Sequence, residues 1–96
     1  MTIEKTVNGN VAEIIPEGWL DTQTAPELEA EIDELGSEVT EVVLNLEKLE
    51  YISSAGLRVI VAIHKKMNSL KIRNVSPEVM DIFKLTGFEK RFNIEA

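Results

Sequence analysis

The sequence contains no cysteine, which excludes disulfide bridges and thiolate metal sites. No run approaches the roughly 18 consecutive apolar residues of a membrane-spanning helix, and residues 1–5 lack the apolar segment of a signal peptide. Lys and Arg number 10 against 17 Asp and Glu, and the resulting net charge of −7 argues against nucleic acid or an anionic membrane as the main partner. We therefore expect a cytoplasmic protein without membrane insertion.

Known catalytic and cofactor motifs are also missing. The chain has no Walker sequence, no dinucleotide-binding glycine pattern, no paired-histidine metal motif and no Gly-x-Ser-x-Gly. His64 is the only histidine. Without a second histidine or a cysteine, it is better suited to packing than to catalysis or metal binding. We therefore expect that the protein is not an enzyme and that it binds neither a metal ion nor a cofactor.

The 96 residues fit a single domain, 1–96. An Asn-Gly pair at residues 8–9 predicts a hairpin with arms at 2–7 and 10–15, ended by Pro-Glu-Gly at 16–18. Apolar patterns predict strands at 39–46, 70–75 and, at an edge, 92–94. Helical spacing predicts helices at about 25–35, 54–67 and 77–86. This order indicates an α/β fold with a mixed, mostly parallel sheet, an N-terminal antiparallel hairpin and helices packed against the sheet.

Several residues are typical of helix ends. Thr24 and Glu27 form a capping-box pattern at the first helix, where Asp21 and Thr22 are competing caps, and Gly36 is expected to end that helix. In the last predicted helix, Ser76 is the expected N-cap before Pro77, and Gly87 the expected C-terminal cap.

The most informative segment is residues 51–57, Tyr-Ile-Ser-Ser-Ala-Gly-Leu, which joins a hydrophobic strand to an apolar helix. Ser53 and Ser54 therefore lie where free backbone N–H groups and the positive end of the helix dipole gather. Such a serine is often only a helix cap. It can also accept a phosphate, which would add about −1.5 to −2 charges and act as a switch.

Asp21 follows the second strand of the hairpin, as Ser54 follows a later strand. Because the carboxyl ends of parallel strands meet at one edge of a sheet, Asp21 and Ser54 are expected to be neighbours. The alternative is that Asp21 is an ordinary helix cap. The helix after Ser54 has an apolar arc of roughly 200°. Such an arc indicates either burial from two sides, which we favour, or contact with a partner.

Four groups of residues, spread over the whole chain, together carry a family resemblance. In order they are Gly18-Trp19-Leu20-Asp21 followed by Thr24-Ala25, then residues 49–57, then Asn74-Val75-Ser76-Pro77, and then residues 83–88. In this order they resemble the STAS domain family, and within it the stand-alone anti-sigma factor antagonists. The resemblance implies a binding module whose partner is an anti-sigma factor with serine kinase activity. It further implies that the unphosphorylated form binds this partner and releases a sigma factor, that phosphorylation at Ser54 breaks the complex, and that a serine phosphatase restores it.

The residues expected at the partner surface are Asp21, Thr24, Ser53, Ser54, Gly56, Arg58 and Val59. The family often has Asp where this chain has Ser53, so Ser53 is an alternative phosphate acceptor. Many relatives also have a longer turn than residues 67–70, which indicates either a deletion or missing residues. An alternative function is a STAS module that is never phosphorylated, such as a subunit or scaffold in a transport or sensory complex.

Overall fold

The computed structural model describes residues 1–67 and 69–96, which form a mixed six-stranded sheet with four helices. The elements are β1 (Thr2–Asn8), β2 (Val11–Leu20), α1 (Ala25–Asp33), β3 (Glu41–Asn45), β4 (Leu49–Ile52), α2 (Ser54–Lys66), β5 (Ser69–Arg73), α3 (Pro77–Thr86), α4 (Phe88–Arg91) and β6 (Asn93–Ile94). The strand order is β1-β2-β3-β5-β6, and β4 pairs with the end of β2. Only β1 and β2 are antiparallel. The predicted fold class is confirmed.

The predicted hairpin is present, but its two-residue loop is Gly9 and Asn10, one residue later than the predicted Asn8 and Gly9. Gly9 has a φ of 65°, whereas Asn10 is not among the described residues with positive φ. Positive φ at the first loop position alone is typical of a II′ turn, which favours glycine there and matches the twist of the two strands. The register pairs Asn8 with Val11 and continues to Thr2 with Glu17.

The prediction that Pro16 ends the second strand was wrong, because β2 continues to Leu20. Pro16 lies between residues 11–14, which pair with β3, and residues 18–20, which pair with β4. Pro16 itself pairs with neither β3 nor β4, so its missing N–H removes no hydrogen bond on the side of β2 that faces these two strands. A register shift between Gly18, with a φ of 101°, and Trp19 redirects the strand toward β4. Strand β4 itself, only four residues long, was not predicted.

One continuous core joins the sheet to all four helices. Strand β3 lies between β2 and β5, and four of its five residues are buried, as expected for a central strand covered on both faces. Helix α2 buries Ile60 and Ile63 in this core, contacts α1, and carries His64 edge-on against Phe92 at 5.1 Å between ring centroids. Helix α2 therefore packs against both α1 and the sheet, as predicted, whereas His64 in the same apolar arc is exposed and contacts Phe92.

The helix ends were predicted with mixed success. Ser76 caps α3 by accepting a hydrogen bond from the Val79 N–H at 3.3 Å, and Gly87 ends the helix with a φ of 77°, so both predictions are confirmed. The prediction that Gly36 ends α1 was wrong, because the helix stops at Asp33. Helix α4 was not predicted. The turn at 67–70 contains residue 68, which lies outside the described residues.

Candidate functional site

The site lies where the parallel strands β2 and β4 end side by side. Trp19 pairs with Tyr51 and Leu20 with Ile52. The register continues one residue further, because the Ser53 N–H donates to the Leu20 carbonyl oxygen at 2.9 Å. The chain therefore brings Asp21 alongside Ser53, with Ser54 next along the chain, at one edge of the sheet.

The two serines have different surroundings. Ser53 occupies the N-cap position of α2 with an extended backbone, but its side chain makes no capping bond. Its hydroxyl oxygen is buried and has no hydrogen-bond partner among the described residues. Ser54 is the first residue of the helix and is exposed. Ser54 therefore lies open at the start of α2, whereas the Ser53 hydroxyl is covered.

Apart from Asp21, whose carboxylate accepts two N–H groups of its own turn, the charges near the start of α2 suit an anion. Its first turn contains no acidic residue, and its free N–H groups carry the positive end of the helix dipole. Arg58 lies four residues after Ser54 and is exposed, so the two side chains are neighbours on the helix surface. No carboxylate of the described residues pairs with Arg58.

A compact turn supports the same edge from the β2 side. The Thr24 hydroxyl donates to the Trp19 carbonyl at 2.7 Å and accepts from the Asp21 N–H at 2.9 Å. The Asp21 carboxylate accepts from the N–H groups of Gln23 and Thr24 at 3.0 and 3.1 Å. The predicted Thr24–Glu27 capping box was wrong, because Thr24 has helical backbone angles and its hydroxyl is already engaged. Asp21 therefore orders the turn that precedes α1, whereas the N-cap position of the helix itself is Thr24.

Gly56 lets α2 approach the strands closely. A Cβ atom at this position would lie 2.7 Å from Ile52 Cγ1 and 2.8 Å from both Cγ and the carbonyl oxygen of Leu20. The side chain of Val59 is only 6% exposed and belongs to the core. Gly56 and Val59 were expected at the partner surface, but both are buried and offer a partner little to touch.

Two asparagines join the carboxyl ends of β3 and β5 and were missed in the sequence. Asn45 is 8% exposed, and its side-chain oxygen accepts from the Asn74 amide at 3.0 Å and from the Glu47 N–H at 3.2 Å. Asn74 has a positive φ of 57°. A polar residue at the end of an otherwise apolar strand is the signal that could have indicated this pair. The hydrogen bond between Asn45 and Asn74 joins the loop after β3 to the loop after β5.

An acidic groove lies beside the start of β4. Its lining residues are Glu17, Glu47, Lys48, Leu49, Glu50, Ser76 and Glu78. The Lys48 ammonium donates to Glu4 at 2.9 Å, and this hydrogen bond and the accompanying Coulomb attraction raise the pKa of Lys48. The pair is exposed, so it adds little to stability. Four carboxylates around one lysine give this surface a negative potential.

A STAS domain family model matches residues 2–96. The chain belongs to the STAS domain family. It is 30% identical over 99 aligned positions to the anti-sigma-B factor antagonist of Staphylococcus aureus. The alignment covers 98% of this chain and 92% of that protein.

Solved structures share the fold of this STAS protein. An anti-sigma factor antagonist from Mycobacterium paratuberculosis superposes with a TM-score of 0.87 at 24% identity, covering 98% of this chain and 84% of that one. Phosphorylated SpoIIAA, a Bacillus cell fate determinant, has a TM-score of 0.75 at 20% identity, covering 99% and 91%. A sulfate transporter family protein from Wolinella succinogenes has a TM-score of 0.78 at 16% identity, covering 95% and 80%.

Within residues 1–67 and 69–96, no helix is long and apolar enough to cross a membrane. The same residues contain no group of three or more His, Cys, Asp or Glu side chains that could hold a metal ion.

Proposed function

We propose that this protein is an anti-sigma factor antagonist whose binding is switched off by phosphorylation of Ser54. The observation that carries the proposal is the contrast between an exposed Ser54 hydroxyl and a buried Ser53 hydroxyl at the start of α2. The likeness to the Staphylococcus antagonist over nearly the whole chain supports the same class of function. The partner is an anti-sigma factor with serine kinase activity in the cytoplasm, and a serine phosphatase reverses the modification.

The start of α2 can hold a phosphate without unfolding. An anion on Ser54 is stabilised by the helix dipole, by unpaired N–H groups and by the neighbouring Arg58. A phosphorylated form of SpoIIAA, which shares the fold, is consistent with this. The switch therefore acts on the complex and leaves the fold of the antagonist intact.

Release of the partner follows from desolvation. A neutral Ser54 hydroxyl can be covered by a protein surface at little cost, whereas a phosphate with about −1.5 to −2 charges must lose its water against whatever faces it. A partner surface shaped for the hydroxyl also lacks room for the phosphate oxygens. Phosphorylation then weakens binding and leaves the anti-sigma factor free for its sigma factor.

The protein acts by binding and catalyses no reaction in this scheme. A nucleophile needs an adjacent base, and the described contacts pair no base with either serine: Ser53 has no hydrogen-bond partner, and His64 packs on Phe92. The alternative is a STAS module whose complex with its partner does not depend on the phosphorylation of Ser54. The fold shared with a sulfate transporter family protein is compatible with this alternative.

The acceptor is tested by incubating the protein with its anti-sigma factor kinase and ATP, followed by mass spectrometry. We expect one phosphate, on Ser54, in the wild type and in Ser53→Ala, and none in Ser54→Ala. Phosphate on Ser53 in the wild type would contradict the assigned acceptor. A kinase that modifies another substrate but leaves this protein unmodified would favour the constitutive module.

The switch is tested by the affinity for the same anti-sigma factor. Ser54→Ala should bind as the wild type does, and Ser54→Asp should bind at least about tenfold more weakly, a loss of about 1.4 kcal/mol. Ser37→Asp is the matched control, because Ser37 is exposed in the loop before β3, at the opposite edge of the sheet. Equal affinities for Ser54→Asp and Ser54→Ala would contradict the switch.

A further inference from the structure

Two aromatic side chains lie exposed beside the candidate phosphorylation site. Trp19 is 58% exposed and Tyr51 is 41% exposed. Their rings contact each other, with centroids 5.3 Å apart and planes inclined by 51°. The other aromatic residues, Phe83, Phe88 and Phe92, pack against one another or on the core. The pair is therefore the exposed aromatic surface of this protein.

The backbone holds this pair in place before any partner arrives. Trp19 and Tyr51 are opposite each other in the register of β2 and β4, while the next pair, Leu20 and Ile52, is buried. The Trp19 carbonyl is fixed by the Thr24 hydroxyl. Two rings that are already ordered lose little conformational freedom when a partner covers them.

The position of the pair links it to Ser54. Tyr51 precedes Ser54 by three residues, and the strand ends that carry the two rings lead directly to Asp21 and Ser53. Successive side chains of a strand point to opposite faces of the sheet. Leu20 and Ile52 face Gly56 of α2, so the two rings lie on the other face. A protein that covers the Ser54 hydroxyl must therefore extend around the ends of β2 and β4 to reach them. Exposed tryptophan and tyrosine are the side chains most often found to dominate such contacts.

The charges nearby limit which occupant fits. Glu17 and Glu50 lie two residues before Trp19 and one before Tyr51, and both are exposed. They also line the acidic groove. A second copy of a chain with net charge −7 would bring like charges together. A partner with an apolar notch bordered by Lys or Arg would complement both the rings and the carboxylates.

We propose that Trp19 and Tyr51 form an aromatic anchor for the anti-sigma factor. The partner receives the rings in an apolar notch whose basic rim faces Glu17 and Glu50, whereas its surface opposite Ser54 carries no basic group. This inference rests on the proposed function and adds the residues that hold the partner. Ser54 then controls the complex from the side of α2, while the anchor supplies most of its affinity from the side of the sheet.

The anchor is tested by calorimetric titration of the purified anti-sigma factor with Trp19→Ala and Tyr51→Ala. Each variant should bind at least tenfold more weakly than the wild type. Val7→Ala is the control, because Val7 is 48% exposed at the far end of the hairpin, and it should bind within twofold of the wild type. Unfolding midpoints measured in parallel separate weaker binding from loss of fold.

A second measurement needs no substitution, because Trp19 is the only tryptophan in the chain. In protein labelled with 5-fluorotryptophan, the single ¹⁹F resonance should shift when the unlabelled anti-sigma factor is added. If the wild type binds, an unchanged resonance together with affinities of the two alanine variants within twofold would overturn the anchor and leave the proposed function standing. If the wild type does not bind, the proposed function fails, and the anchor with it. A dimer that Trp19→Ala dissociates in sedimentation would overturn the anchor in favour of a second copy.

Discussion

Replacing Gly56 with alanine should destabilise the protein, although alanine is the better helix former. The added Cβ would meet the Leu20 carbonyl oxygen and the side chains of Leu20 and Ile52 at 2.7 to 2.8 Å. The Leu20 carbonyl cannot move away freely, because it accepts the Ser53 N–H at 2.9 Å. Helix α2 must therefore shift outward from the strand ends.

The magnitude is the difference between two opposing effects. Overpacking of this kind costs about 1–3 kcal/mol, and the gain in helix propensity from Gly to Ala offsets up to about 1 kcal/mol. Because one of the contacts is with backbone, we expect a net loss of about 1–2 kcal/mol. For a domain of this size, the melting temperature should fall by about 4 to 16 °C.

The assay is thermal and urea unfolding of Gly56→Ala beside Gly36→Ala. The three atoms nearest to a Cβ at Gly36 all belong to the carboxylate end of Glu38, a flexible side chain on the surface. This control should stay within about 0.5 kcal/mol of the wild type. If Gly56→Ala melts within about 1 °C of the wild type, the argument that close approach requires glycine is refuted.

Two other predictions concern stability and are measured by urea unfolding. Ser76→Ala should lower the free energy of unfolding by about 1 kcal/mol, because α3 loses its N-cap hydrogen bond. Ser53→Ala should lower it by less than about 0.5 kcal/mol, because the Ser53 hydroxyl has no hydrogen-bond partner among the described residues. Equal losses would contradict the conclusion that the Ser76 side chain caps its helix and the Ser53 side chain does not. Thr24→Val should cost about 0.5–1.5 kcal/mol because the Trp19 carbonyl loses its donor and the Asp21 N–H its acceptor, and an unchanged midpoint would contradict a stabilising role for this turn.

Much of the fold follows from local patterns in the sequence. The hairpin, the buried strand β3, the cap at Ser76 and the C-terminal glycine at Gly87 each depend on a few adjacent residues, and all were predicted. The predictions failed for β2 and β4, whose extent depends on which distant strand each of them pairs with. Strand β2 passes through Pro16 because no partner needs its N–H on one side there, and β4 forms because the end of β2 is available to pair with it.

The site was predicted only in part for the same reason. That Asp21 and Ser54 lie at one edge follows from parallel topology, and the register of β2 with β4 agrees with it. No local pattern indicates that the Ser53 hydroxyl is buried, that Thr24 binds a carbonyl instead of capping a helix, or that Trp19 lies exposed against Tyr51. These features depend on how α1 and α2 pack on the strand ends.

The central claim, that a phosphate on Ser54 switches the complex off, is tested most directly with protein carrying phosphoserine incorporated at position 54. Its affinity for the anti-sigma factor is compared by calorimetry with that of the unmodified protein at the same ionic strength. The account predicts that the phosphorylated form binds at least about tenfold more weakly while melting at nearly the same temperature. Equal affinities of the two forms would contradict it.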